Sequence, residues 1–120
     1  MRLYHYTCSH AAPLIIQQRW LHANPHPLMP EVGPLIHLTD LDSPDRHGLG
    51  LTSYTLRCDR TEFRVTAVTS EAIHWPVFAR TIPRHVREEL ESAPGALPMH
   101  WYVARGFVPV LAVVETEGAR

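Results

Sequence analysis

Lysine is absent from this chain, because all eleven of its Lys+Arg positions are arginine. Without lysine, Schiff-base and lysine-nucleophile mechanisms are excluded. The chain also contains eleven prolines and nine histidines. This composition is typical of a high-GC genome, so the number of histidines alone does not indicate a function. An excess of one charge is missing too: the formal net charge of -1 provides no bulk attraction to nucleic acid or to an anionic membrane.

Cysteines and long apolar segments are scarce. Two cysteines, Cys8 and Cys58, are too few for a disulfide scaffold and form no Cys-x-x-Cys spacing. The N-terminal "HYTCSH" is polar where a signal peptide needs an apolar core, and no run approaches the ~18 apolar residues of a membrane span. We therefore expect a reduced, cytoplasmic protein with no membrane partner.

The pattern of elements predicts a single α+β domain spanning 1–120. Strands and helices do not alternate regularly, which favours a small mixed or antiparallel β-sheet with two or three short helices. One helix is predicted over 10–20, with Ser9 as its N-cap, and a second helix is predicted over 83–92. Residues 21–34 contain four prolines and predict an irregular loop, and Pro76 leaves "SEAIHWPVFAR" without an assigned element. The predicted strands are 2–7, 35–41, a hairpin of 51–58 with 61–69, and a second hairpin of "MHWYV" with "FVPVLAVVE" around the turn "ARG".

Several familiar catalytic and metal-binding motifs are incomplete. His22 and His26 are four residues apart, but the proline between them prevents the helical geometry of a zinc-binding pair. Cys8 and Ser9 follow the first strand without a Gly-x-Ser-x-Gly elbow or a cysteine-protease signature. "GLGLTS" lacks both the Walker lysine and the full Gly-x-Gly-x-x-Gly pattern. We assign no metal ligand, and a zinc site built from dispersed histidines stays open as an alternative.

Two strand histidines form a more specific pattern. "YHYT" places His5 two residues before Thr7, and "LIHLTD" places His37 two residues before Thr39. Alternate residues of a strand share a face, so each histidine shares a face with its threonine. The strand-helix-loop unit between them has a length that can bring both strands into one sheet. We therefore treat His5 and His37 as one paired candidate site.

The stretch "LYHYT", the helix after it and "GPLIHLTD" resemble the ADP-ribosyltransferase superfamily. The most similar branch has a His, His and hydrophobic triad, as in RNA 2'-phosphotransferases and a short bacterial family with "YH" near its start. The resemblance covers about residues 3–40. It implies an NAD-binding domain in which His5 and His37 are catalytic. It further implies that His5 binds the nicotinamide-side ribose, Thr7 contacts ribose or phosphate, His37 lies against the nicotinamide, and Tyr6 and Thr39 are supporting contacts.

The expected function is therefore NAD binding with transfer of ADP-ribose to an acceptor, or cleavage of NAD. The acceptor would be a protein, a nucleic acid or a small phosphorylated molecule. No catalytic glutamate can be placed, which favours a hydrophobic third position within 110–114. Two alternatives stay open: a non-catalytic partner-binding or inhibitor protein on the same fold, and a small histidine-based metal-dependent hydrolase.

Overall fold

A computed structural model describes residues 1–43 and 60–116. Within them, seven antiparallel strands form one sheet with the spatial order β2-β7-β4-β1-β3-β6-β5, and three short α-helices accompany it. The α+β class with a small antiparallel sheet is thus confirmed. The elements in chain order are β1 Arg2–Thr7, α1 Ala12–Gln18, β2 Trp20–His22, β3 Ile36–Thr39, β4 Phe63–Val68, β5 Ile73–His74, α2 Trp75–Phe78, α3 Arg84–Glu91, β6 Trp101–Ala104 and β7 Phe107–Glu115, with single 3-10 turns at Pro30–Val32, Ala79–Thr81 and Pro98–His100.

The first strand is central and is paired unequally on its two sides. All six residues of β1 pair with β4. Toward β3, in contrast, the register contains a single pair within the described residues, Tyr4 with Thr39. β3 is itself held over four residues by β6. Both strands are therefore fixed by their outer neighbours, and the seam, which is the boundary between β1 and β3, contains this single ladder pair.

The sheet is strongly curved, which the short link between β6 and β7 requires. Only Arg105 and Gly106 separate these strands, and two residues plus their flanking bonds span at most about 11 Å. In a flat sheet, the four strand spacings from β7 to β6 would amount to about 19 Å. The sheet therefore curls until the end of β6 meets the start of β7. Gly106 has a φ of +73° at this corner, where glycine carries no steric penalty.

Two hydrophobic clusters lie on opposite faces of the curled sheet. The first, on the inner face, draws on six strands and on Ile15 of α1. The second packs α2 and α3 against the outer face of β3 and β6, with Trp75 only 1% exposed at its centre. The inner cluster contains the buried residues Leu3, Leu21, Ile36, Leu38, Val65, Ala67, Ala104 and Val108. The second contains Met29, Leu35, Trp75, Phe78, Ala79, Ile82, Val86 and Val103.

The first helix differs in detail from its prediction. The residue at its N-cap is Ala11 rather than Ser9, and no side chain caps it. Ala12 and Ile15 face the core, whereas Leu14 is exposed. The helix ends at Arg19, whose φ of 61° is left-handed and whose N–H donates to the Ile15 carbonyl at 2.8 Å. The predicted N-cap is therefore wrong, and the helix is shorter than the predicted 10–20, because this cap turns the chain into β2 at Trp20.

Four further predictions are settled by the element boundaries and the strand pairing. The 83–92 helix is confirmed as α3, and the strand in 61–69 is confirmed as β4, while 51–58 lies outside the described residues. The hairpin of the last two strands is wrong: β6 pairs with β3 and β5, and β7 pairs with β2 and β4. The 21–34 loop is not wholly irregular, because Trp20–His22 adds a short edge strand to β7.

None of the helices within the described residues is both long and apolar enough to cross a membrane.

Cys8, which follows β1, is disulfide-bonded. This differs from the reduced thiol expected from the sequence, and the cytoplasmic location stays a prediction.

Candidate functional site

His5 lies at the seam between β1 and β3. Its register with Val65 places it on the inner face of the sheet. Its Nδ1 is 2.8 Å from the main-chain oxygen of His37. A carbonyl oxygen only accepts hydrogen bonds, so Nδ1 carries the hydrogen and donates it. The imidazole thus takes the place of a missing backbone hydrogen bond between the two strands.

The charge state of His5 follows from its surroundings. Burial lowers its pKa, the hydrogen bond to His37 raises it, and the positive charge of Arg60 lowers it again, with burial the largest effect. The ring is neutral at pH 7, and since Nδ1 holds the hydrogen, Nε2 presents a lone pair. His5 can therefore accept a hydrogen bond from a hydroxyl group.

The backbone of His37, and not its side chain, bonds to His5, because the two side chains lie on opposite faces of the sheet. Its register with Val103 places the side chain on the outer face, beside the second cluster. The side chain is exposed, yet burial by surrounding protein atoms is the largest of the effects that lower its pKa to about 4. A side chain that is both reachable by solvent and poorly hydrated lies in a concave part of the surface. His37 is therefore a neutral ring in a depression next to the seam.

A third histidine, His26, packs against His37. The two ring centroids are 5.3 Å apart, edge to face, at 63°. The Leu28 N–H donates to Nδ1 of His26 at 3.1 Å, which leaves the hydrogen of the neutral ring on Nε2. Burial lowers the pKa of His26, so the neutral form prevails at pH 7. From the sequence, His26 was considered only as half of a zinc pair that lacks helical geometry, and no periodicity in the proline-rich loop indicated its contact with His37.

Arg60 is the charged group that acts on both predicted histidines. Its positive charge lowers the pKa of His5 and the pKa of His37. Within the described chain, none of the charges that shift these two pKa values comes from a carboxylate. Arg60 is therefore a positive charge that acts on both histidines, although the chain as a whole carries a formal charge of -1.

The remaining predicted residues are mostly built into the scaffold. Thr39 is 2% exposed, and its hydroxyl donates to the His100 carbonyl at 2.7 Å and accepts from the Leu41 N–H at 3.2 Å. The Tyr6 hydroxyl donates to the Leu41 carbonyl at 2.9 Å, and burial is the main cause that raises its pKa to about 12. Thr7 is buried on the face of His5. Tyr6 and Thr39 thus hold the end of β3, which fits supporting contacts better than direct binding.

The end of β3 also carries a polar cluster that the sequence did not indicate. Nδ1 of His100 donates to Oδ1 of Asp40 at 2.6 Å, with both side chains about two-fifths exposed. Burial and the charge of Asp40 raise the pKa of Tyr102. Tyr102 stacks on His74, with ring centroids 4.8 Å apart. These contacts join β3, β5 and β6 at one corner of the sheet.

The predicted third position does not adjoin His5. Residues 110–114 lie on β7, which β4 separates from β1. Across residues 1–43 and 60–116, no group of three or more His, Cys, Asp or Glu side chains is arranged to hold a metal ion. The geometry therefore brings together His5, His37 and His26, with Arg60 near the first two.

No protein-family model, no curated protein and no solved structure matches this chain. The function must therefore be argued from the geometry of the site.

Proposed function

We propose that this chain has an ADP-ribosyltransferase-like fold that binds NAD in the seam between β1 and β3. The observation that carries the proposal is the 2.8 Å hydrogen bond from His5 to the His37 carbonyl. It joins the two histidines on which the resemblance rests, at the place where the two central strands separate. The single backbone pair between β1 and β3 supports the same assignment.

The residues present fit the chemical groups of NAD. The Nε2 lone pair of His5 accepts a hydrogen bond from a ribose hydroxyl. The neutral ring of His37 offers a flat surface for the nicotinamide, and its low pKa avoids placing a second cation beside the cationic ring. Arg60 attracts the pyrophosphate. The nicotinamide, its ribose and the pyrophosphate thus each have a chemically matched group in the site.

This arrangement can orient NAD for cleavage of the nicotinamide bond, which passes through an oxocarbenium-like state. His5 would fix the ribose and so hold the reacting carbon in place. None of the described carboxylates shifts the pKa of His5 or His37, so the negative charge that steadies the developing cation would come from a phosphate of the substrate or of the acceptor. The acceptor would be a protein, a nucleic acid or a small phosphorylated molecule.

Calorimetric titration of NAD into the wild type and into His5→Asn, His37→Ala and His85→Ala tests the proposal. Asparagine keeps a donor for the His37 carbonyl but removes the ring acceptor, so His5→Asn preserves the seam while losing the ribose contact. We expect each site variant to weaken binding by about tenfold, equivalent to ~1.4 kcal/mol. His85 is exposed on α3, and its variant should bind as the wild type does.

Failure of the wild type to bind NAD would refute this assignment and favour the alternative of a non-catalytic partner-binding or inhibitor protein on the same fold. Stoichiometric zinc found by elemental analysis would favour the metal-dependent hydrolase instead.

A further inference from the structure

Three histidines beside the seam have ring nitrogens without a protein partner. Within the described residues, Nε2 of His5, Nε2 of His26 and both ring nitrogens of His37 make no hydrogen bond; His5 and His26 are not among the buried unsatisfied groups, and the His37 side chain is exposed. They are therefore open to solvent or to a ligand. Elsewhere in the described chain, His74 and His100 each have a ring nitrogen tied to a protein oxygen at 2.6 Å, but no second and third imidazole join them.

The nitrogens of His5 and His26 have opposite hydrogen-bonding characters. Nε2 of His5 accepts, because Nδ1 of that ring donates to His37. Nε2 of His26 donates, because Nδ1 of that ring accepts from the Leu28 N–H. Nδ1 of His26 faces its own loop backbone, so Nε2 is directed away from the loop. An oxygen that meets His26 must therefore be an acceptor, whereas one that meets His5 must be a hydroxyl.

The contact between His26 and His37 indicates where that acceptor oxygen lies. His26 packs edge-on against His37 at 5.3 Å, so its free nitrogen lies beside a neutral aromatic ring. A planar ring that stacks on or near His37 would bring a substituent on its edge within reach of His26. An oxygen carried by such a ring, rather than a ribose hydroxyl, is therefore the group that His26 meets.

We propose that His26 is a third ligand-contacting residue, which donates from Nε2–H to a carbonyl oxygen on a planar ring held against His37. This inference rests on the proposed function: in NAD the oxygen belongs to the nicotinamide carboxamide. ADP-ribose has the same ribose and pyrophosphate but lacks that ring. His26 therefore makes the site prefer intact NAD to the ADP-ribose that cleavage of NAD would leave.

The test compares the affinities of NAD and ADP-ribose for His26→Phe and His26→Gln. Phenylalanine keeps a ring against His37 but has no donor, whereas the glutamine amide keeps an N–H. We expect His26→Phe to weaken NAD binding by roughly three- to tenfold and to leave ADP-ribose binding unchanged. We expect His26→Gln to recover part of the NAD affinity. His85→Phe serves as the matched control.

Equal losses for the two ligands, or no loss for NAD, would overturn the role of His26 while leaving the NAD proposal intact. A wild type that binds neither ligand would overturn both. If His26→Phe does not fold, nitrogen-15 spectra of the wild-type imidazoles decide: the Nε2 resonance of His26 should shift with NAD and not with ADP-ribose. A resonance that does not shift with NAD, or that shifts equally with both ligands, contradicts the proposal.

Discussion

At the scale of single residues, the site depends on imidazole rings that stay neutral. The lowered pKa values of His5, His26 and His37 have burial as their first cause. His37 experiences in addition the charges of His26, His5 and Arg60. A neutral imidazole can both donate and accept, whereas a protonated one only donates. Burial therefore preserves the acceptor on which the proposed ribose contact of His5 depends.

His37 should titrate far below the usual pH range of histidine. We expect a midpoint of about 4 in a proton NMR titration. In His26→Phe the midpoint should rise, because the repulsion between the two imidazoles is removed. A midpoint at 6.5 or above in the wild type would contradict the depression inferred around His37.

The same residue makes stability depend on pH in a defined direction. The pKa of His37 is lowered on folding, so the unfolded chain binds more protons below its own pKa of about 6.5. The contribution of His37 to stability is complete above this pH and is lost as the pH falls toward 4. Urea denaturation from pH 7 to pH 4 should show this loss, and His37→Asn should reduce it. An unchanged pH dependence in the variant would contradict the inference.

At the scale of elements, β3 is the strand that carries the site. Its end is fixed by side chains, because Thr39 bonds to His100 and Leu41, and Tyr6 bonds to the Leu41 carbonyl. The hydrogen bond from His100 to Asp40 adds a further link. His37 lies two residues before Thr39, so these contacts set where its ring is held.

Replacing Thr39 by valine should destabilise the protein by about 1–3 kcal/mol, because the isosteric side chain removes two hydrogen bonds from a buried position. The midpoint of urea denaturation measures the loss. Thr39→Ser, which keeps the hydroxyl, should lose less. If valine and serine cost the same, the hydroxyl does not hold the strand.

The elements were predictable where the local pattern was simple. "RLYHYT" and "LIHLTD" alternate as strands, and "PRHVREELES" has helical spacing, and all three are confirmed. β2 was missed because three residues beside a proline-rich segment carry no periodicity. The last two strands were wrongly paired because a two-residue turn predicts a hairpin, whereas curvature of the sheet lets the same turn connect distant strands.

The site was predictable only in part, because the alternation of side chains along a strand does not show contacts between a side chain and a neighbouring backbone. His5 and His37 were correctly brought together, but on opposite faces of the sheet, so alternation alone could not give their contact. It arises because a side chain of β1 bonds to the backbone of β3. His26 and Arg60 lie in segments without regular spacing, so the sequence offered no signal for either.

At the scale of the whole molecule, one sheet separates two clusters that share their strands. Ala104 belongs to the inner cluster and its neighbour Val103 to the second cluster. Displacing the strand that carries both residues would therefore disturb both clusters. Phe107 and Leu111 of β7 remain exposed, at 60% and 57%. Stability therefore comes from the two clusters together rather than from complete coverage of the sheet.

This arrangement predicts a single cooperative unfolding transition. Leu3→Val, in the inner cluster, and Phe78→Leu, in the second cluster, should each lower the same transition by about 1 kcal/mol. Leu111→Val should change stability by less than about 0.5 kcal/mol, because that side chain is exposed. Denaturation followed by near-UV and far-UV circular dichroism checks the prediction. Two separate transitions, each sensitive to one variant, would contradict a single domain.

The seam has a kinetic consequence. Where two strands are joined by backbone hydrogen bonds, separating them requires local unfolding, which takes microseconds or longer. Between β1 and β3 the link at His37 is an imidazole, and a rotation about its side-chain bonds releases the carbonyl while β4 and β6 keep both strands in place. Access of the proposed ligand to this carbonyl would thus be timed by the rotation of one ring, while the Tyr4–Thr39 pair stays in place.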